Sequence, residues 1–126
     1  MTATFDRRRI AILVVEDEPL LLMDAMDMVE DAGFTVYGAR TADEAIKHLE
    51  KHDDIRVLFT DVDMPGSMDG LDLSEAVQAR WPTVRVIVTS GKQVPLQGVL
   101  PDASRFMPKP YSPEEVLGAL RQMLAS

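Results

Sequence analysis

Five short strand-like runs, separated by stretches of helical periodicity, limit this chain to very few folds. Residues 10–15 form an unbroken apolar, largely β-branched run, and residues 34–39, 56–60, 84–88 and 105–107 supply four more. Continuous apolar runs fit strands covered on both faces better than strands that alternate between core and solvent. After the first run, Leu22, Met26 and Val29 recur at helical spacing until Gly33 ends the pattern. Thr41 followed by Glu44 has the form of a capping box ahead of Ala45, Ile46 and Leu49. Gly70 to Val77 leads into a helix that ends near Trp81, because Pro82 cannot continue it. Ser112 and Pro113 open a last helix along Val116, Leu117, Leu120 and Leu124. Residues 92–102 contain Pro95, Gly98 and Pro101, so the fourth helical segment is expected to be short or distorted. Alternation of this kind predicts a parallel sheet with helices on both faces and right-handed crossovers.

With 126 residues the chain has room for one domain and one core. A net charge of -8 argues against general binding to nucleic acid or to anionic membranes, since both require a basic footprint. The absence of cysteine removes disulfides, thiolate metal sites and thiol nucleophiles. No apolar run is long enough for a membrane span and no signal-type stretch precedes Arg7-Arg8-Arg9, so a cytoplasmic location is expected. The arginine triplet reads as a solvated lead-in to the first strand. Met23, Met26 and Met28 are assigned to core packing, His48 and His52 to solvent, and Trp81 to packing at a helix end.

The chemistry gathers where the strands end. Val57-Leu58-Phe59-Thr60 delivers Asp61 to the tip of a strand before Pro65-Gly66 turns the chain away. In an open parallel sheet all carboxyl ends share one edge, and ligands bind in the crevice beyond it. The other ends carry Glu16-Asp17, Thr89 and Lys109, while the second strand ends in nothing chemical. The acids before Pro19 also have a purely structural reading, as helix-capping charges. Three converging carboxylates repel one another, and a divalent cation with one lysine relieves that repulsion. Hard oxygen ligands point to Mg²⁺, with Mn²⁺ an acceptable substitute. Phosphoryl transfer asks a protein mainly for positioning and charge neutralisation. In that chemistry Asp61 is the acceptor, Asp17 a direct metal ligand, and Glu16 a ligand directly or through water. Lys109 pairs with a phosphoryl oxygen, and the Thr89 hydroxyl donates to another.

These residues carry a resemblance. Val14-Val15-Glu16-Asp17-Glu18, Thr60-Asp61-Val62-Asp63-Met64-Pro65-Gly66, Val88-Thr89-Ser90 and Pro108-Lys109-Pro110-Tyr111 together resemble the receiver domains of two-component response regulators, over essentially the whole chain. The resemblance implies a flavodoxin-like (βα)5 three-layer sandwich with strand order 2-1-3-4-5. It implies Mg²⁺ held by Asp17, Asp61 and the backbone carbonyl of Asp63, and a cis Lys109-Pro110 bond. It further implies phosphorylation of Asp61 by a histidine kinase or histidine phosphotransfer protein, in a domain that assists its own phosphorylation and dephosphorylation without being an enzyme. The implied switch draws Thr89 inward, and Phe106, three residues before the lysine, follows it. Residues 1–8 form an N-terminal arm and residues 9–126 the receiver domain. With no output domain expected, the chain acts on an unknown downstream protein, as a monomer or weak homodimer, without nucleic acid or membrane. Asp63 places an acid two residues past the acceptor, where its side chain has no assigned effect.

Two other readings use the same residues. A small haloacid-dehalogenase-like phosphatase would take Asp61 and Asp63 as nucleophile and general acid, although that motif normally follows the first strand. A receiver-like module that no longer accepts phosphate would serve as a constitutive interaction domain.

Overall fold

The computed structural model describes residues 10–64, 66, 68–91 and 104–125. The N-terminal arm and the proline-bearing segment 92–102 lie outside the described residues. Five strands, β1 (Ala11–Val15), β2 (Thr35–Ala39), β3 (Ile55–Asp61), β4 (Arg85–Ser90) and β5 (Ser104–Pro108), form one sheet. All neighbouring pairs are parallel, and the order is β2-β1-β3-β4-β5. The described helices are α1 (Pro19–Asp31), α2 (Ala42–Lys51), α3 (Gly70–Arg80) and α4 (Pro113–Ala125). This is the flavodoxin-like order expected of the doubly wound sandwich.

Strand alternation sorts the core into two layers. Leu13, Val15, Leu58, Val86 and Val88 pack with α2 and α3 through Ala45, Leu49, Leu73 and Val77. Ile12, Val14, Val57, Phe59, Ile87 and Met107 pack with α1 and α4 through Ala25, Val29, Val116 and Leu120. Every residue of β1 is buried, as its unbroken apolar run requires.

Local capping chemistry sets the helix starts. Thr41 accepts from the Glu44 amide at 3.1 Å, but the Glu44 carboxylate accepts from the amide of Arg40 and not of Thr41, so the expected box is only half closed. Full reciprocal boxes stand at Asp69 with Asp72 and at Ser112 with Glu115. Gly33, at φ 97°, turns the chain out of α1 in the left-handed conformation that glycine adopts without penalty.

Two assignments of side chains to core and solvent need correction. Met23 is 59% exposed, beside Leu20 and Leu21, because at 100° per residue it lies off the stripe defined by Ala25 and Val29. Met26 and Met28 do pack against the core. His48 and His52 are half-buried and not solvated. They stack with Tyr37, whose ring centroid is 4.0 Å from that of His52 and 5.6 Å from that of His48. His48 Nε2 also lies 3.1 Å from the carbonyl oxygen of Gly38 on the edge strand. His48 lies in the last turn of α2 and His52 is its extended C-cap, and both imidazoles reach the tyrosine of β2. Trp81 packs on the core as expected, with the Arg80 guanidinium 4.3 Å above its ring.

Gly70 brings α3 closest to the end of β3. A Cβ there would stand 2.0 Å from the Asp61 carbonyl oxygen and 2.8 Å from Val62 Cα, both backbone atoms. Gly118 on α4 faces open space. Gly70→Ala is therefore expected to destabilise the fold by about 3 kcal/mol, the upper range for overpacking. Gly118→Ala should stabilise it by about 0.5–1 kcal/mol through helix propensity. Urea midpoints of the two variants provide the check.

Candidate functional site

The parallel order brings the residues singled out in the sequence to one edge of the sheet. Glu16 immediately follows β1, Asp61 ends β3, Thr89 lies beside Asp61 in register, and Lys109 follows β5. Asp61 shares its strand face with Val57 and Phe59, so its carboxylate lies on the α1 and α4 side of the sheet. Main-chain bonds brace this edge: Glu16 donates to Ala39, Val62 to Thr89, Lys109 to Ser90 and Gly70 to Val62.

Lys109 joins the acids. Its Nζ is 2.8 Å from Glu16 Oε1 and 3.2 Å from Asp61 Oδ2, while both carboxylates are buried. The remaining oxygens are also engaged: Glu16 Oε2 accepts from the Glu18 amide and Asp61 Oδ1 from the Asp63 amide, each at 3.2 Å. Burial alone would lower the Lys109 pKa, but the Glu16 hydrogen bond and the Asp61 and Glu16 charges outweigh it and leave the pKa raised. Tyr111, tilted against Phe59 at 5.4 Å, borders the site. Burial raises its phenol pKa, Lys109 works against that shift, and Glu16, Asp61 and Asp24 add to it.

Glu16, Asp17 and Asp61 each present a carboxylate oxygen within 4.8 Å of the others. This all-oxygen set fits a hard divalent cation and offers no soft or imidazole donor. Glu18, the N-cap of α1, makes no side-chain capping hydrogen bond, and the first turn of α1 contains no acid. The Lys109–Pro110 peptide is cis.

Thr89 is buried next to Asp61. Its register partner on β5 is Met107, and Phe106 pairs with Val88 on the opposite face, half-buried. Asp63 is exposed at the start of the loop, and its Oδ2 accepts from the Ser90 hydroxyl at 3.3 Å.

Sequence reasoning left Arg40 out, having given the second strand no chemical end. Its guanidinium donates to the Asp17 carbonyl from Nε at 3.4 Å and from Nη2 at 3.3 Å. A cation one residue beyond a strand end was the available signal. Gly70 likewise reads in the sequence only as a helix start, since its close approach to the end of β3 exists only after α3 packs there.

A buried acid at the end of the central strand, an acidic trio and a lysine reaching across from the last strand define an acidic-pocket α/β domain. Residues 12–121 match the response regulator receiver domain family, and the chain belongs to it. It is 29% identical over 117 residues to the chemotaxis protein CheY of Thermotoga maritima, covering 89% of this chain and 95% of that one. It is 30% identical over 114 residues to the phyllosphere-induced regulator PhyR of Methylorubrum extorquens, covering 90% of this chain but 43% of PhyR. The chain thus spans less than half the length of several relatives that it matches. A crystal structure of a response regulator receiver protein from Sinorhizobium medicae superposes with a TM-score of 0.82 at 26% identity, covering 93% of this chain and 95% of that one. Family membership favours the receiver over the dehalogenase-like phosphatase.

Removing the ammonium exposes the repulsion that it suppresses. Lys109→Met should cost about 2–3 kcal/mol at neutral pH without divalent cations, because it leaves two buried carboxylates unpaired. Since the folded-state pKa of Lys109 is raised, its contribution is complete below the ordinary lysine range and is lost as pH rises through the folded value. The gap between wild type and variant should therefore narrow only at strongly alkaline pH. Urea denaturation across pH 7 to about 11 tests both the size and the sign.

Proposed function

We propose that this chain is a phosphoacceptor of two-component signalling, in which phosphorylation of Asp61 alters a protein-binding surface. The observation that carries this reading is the ammonium of Lys109 held between Glu16 and Asp61 at the edge of the acidic trio. A carboxylate oxygen of Asp61 attacks phosphorus, an O–P bond forms as the N–P bond of a phosphohistidine breaks, and the electron pair leaves on the imidazole nitrogen. Lys109 shifts its pairing from the Asp61 carboxylate to a phosphoryl oxygen, and the Thr89 hydroxyl donates to another. Asp17 and Asp61, with the Asp63 carbonyl and with Glu16 directly or through water, would hold Mg²⁺ or Mn²⁺. When bound, the cation neutralises charge on the transferring group. The same residues assist hydrolysis of the acyl phosphate, so the chain is a signalling protein that takes part in its own turnover.

Phe106 is the assigned follower of Thr89. On the described part of β5 it borders a groove with Arg105, Met107, Glu115 and Gln122, where a change of ring position would alter the surface. The donor is a histidine kinase or histidine phosphotransfer protein. The downstream partner is another protein, and the chain acts in the cytoplasm as a monomer or weak homodimer, apart from nucleic acid and membrane. No helix among the described residues is long and apolar enough to cross a membrane.

Incubation with Mg²⁺ and phosphoramidate, read by intact mass, should give a single phosphoryl adduct on the wild type and none on Asp61→Asn. Lack of an Mg²⁺-dependent adduct on the wild type would refute the acceptor assignment.

Leu20, Leu21 and Met23 are exposed at the start of α1. Leu21 also lines an apolar groove of about 520 Å³ with Met28, Lys109, Pro110 and Tyr111. Exposed aliphatic side chains at the rim of the acceptor fit docking of the donor's helices. Leu21→Arg should slow transfer from a phosphohistidine protein at least tenfold while leaving labelling by phosphoramidate within about twofold. Quenched time courses with the two donors separate docking from chemistry.

A further inference from the structure

The loop after β3 is held from a place that the acceptor chemistry does not require. Ser90, the last residue of β4, is buried, and two of its hydrogen bonds run in opposite directions. Its carbonyl accepts from the Lys109 amide at 3.0 Å, which fixes the main chain that carries the ammonium. Its hydroxyl donates to Asp63 Oδ2 at 3.3 Å. Asp63 in turn donates its amide to Asp61 Oδ1 at 3.2 Å. One serine thus links the lysine end of β5 to the loop residue whose main chain borders the acceptor carboxylate.

We propose that the Ser90–Asp63 side-chain bond is a positioning device for the cation site: it holds the loop backbone at Asp63 before the cation arrives. The proposal rests on the phosphoacceptor reading, in which the Asp63 carbonyl is a metal ligand. An exposed loop residue with an untethered side chain samples many backbone conformations, and binding must pay for selecting one of them. A bond to the rigid end of a buried strand removes part of that cost in advance. The acid after the acceptor thereby gains a role that needs neither proton transfer nor direct contact with phosphate.

Outer-shell partners of metal ligands typically contribute 10- to 100-fold in affinity. The bond is long and Asp63 is open to water, so the effect here falls below that range. Titration of Mn²⁺ followed by electron paramagnetic resonance, with no phosphodonor present, reads the site directly. Ser90→Ala should weaken Mn²⁺ binding about fivefold, and in an Asp63→Ala background the same substitution should change it by less than about twofold. Thermal melts verify that each variant is folded. Asp63→Ala lies on an exposed loop and supplies the cycle with a variant that does not depend on a buried substitution. Unchanged affinity in Ser90→Ala overturns the proposal, and so does an equal loss in both backgrounds. If wild type binds Mn²⁺, Asp17→Asn abolishes binding and Ser90→Ala has no effect, the tether fails while the acceptor site stands. If wild type shows no saturable binding, both fail together.

Discussion

The ammonium of Lys109 between Glu16 and Asp61 is the contact on which the carboxyl edge of the sheet depends. It spans 93 residues of sequence, and it forms only because β1, β3 and β5 are parallel and end on the same side. Two buried carboxylates without it would leave uncompensated charge where water is largely excluded, a more expensive arrangement than the same acids at a surface. The pair is poised more than it is stabilising. On the proposed reading, a cation and a phosphoryl group would each exchange one set of charge contacts for another.

The backbone around this contact leaves little freedom. Val62 donates to Thr89, Gly70 to Val62 and Lys109 to Ser90, so the acceptor loop and the lysine loop are both anchored on β4. The capping box of Asp69 and Asp72 starts α3 at Gly70, the point where a side chain would strike Asp61. Arg40 steadies the Asp17 carbonyl from the far side. Rigid support of this kind suits the proposed chemistry, which consists mostly of charge placement. By contrast, the apolar residues at the start of α1 are exposed among the described residues.

Much of this was legible in the residues. Unbroken apolar runs announced strands buried on both faces, and β1 is buried throughout. Proline at the start of α1, glycine after it and proline after Trp81 marked ends that the structure reproduces. The misreadings concern side chains whose partners are remote in sequence. Tyr37, His48 and His52 lie on two elements, and only the packing of α2 beside the edge strand brings the rings together. Met23 was judged by its residue type, although helical rotation puts it outward. Glu44 skipped the expected amide for that of Arg40, a difference of one residue that spacing alone does not resolve.

What the sequence determined by itself was the alternation of elements, the chemical identity of the strand ends and the family to which they point. These follow from local preference, from periodicity and from four short motifs. Tertiary structure alone decided which atoms meet: Lys109 with both Glu16 and Asp61, Ser90 with Asp63, Arg40 with Asp17, and Gly70 against the end of β3. The reason is geometric. Strand order and register determine the separations between residues tens of positions apart, and a hydrogen bond or ion pair exists only within a few tenths of an ångström of the right one.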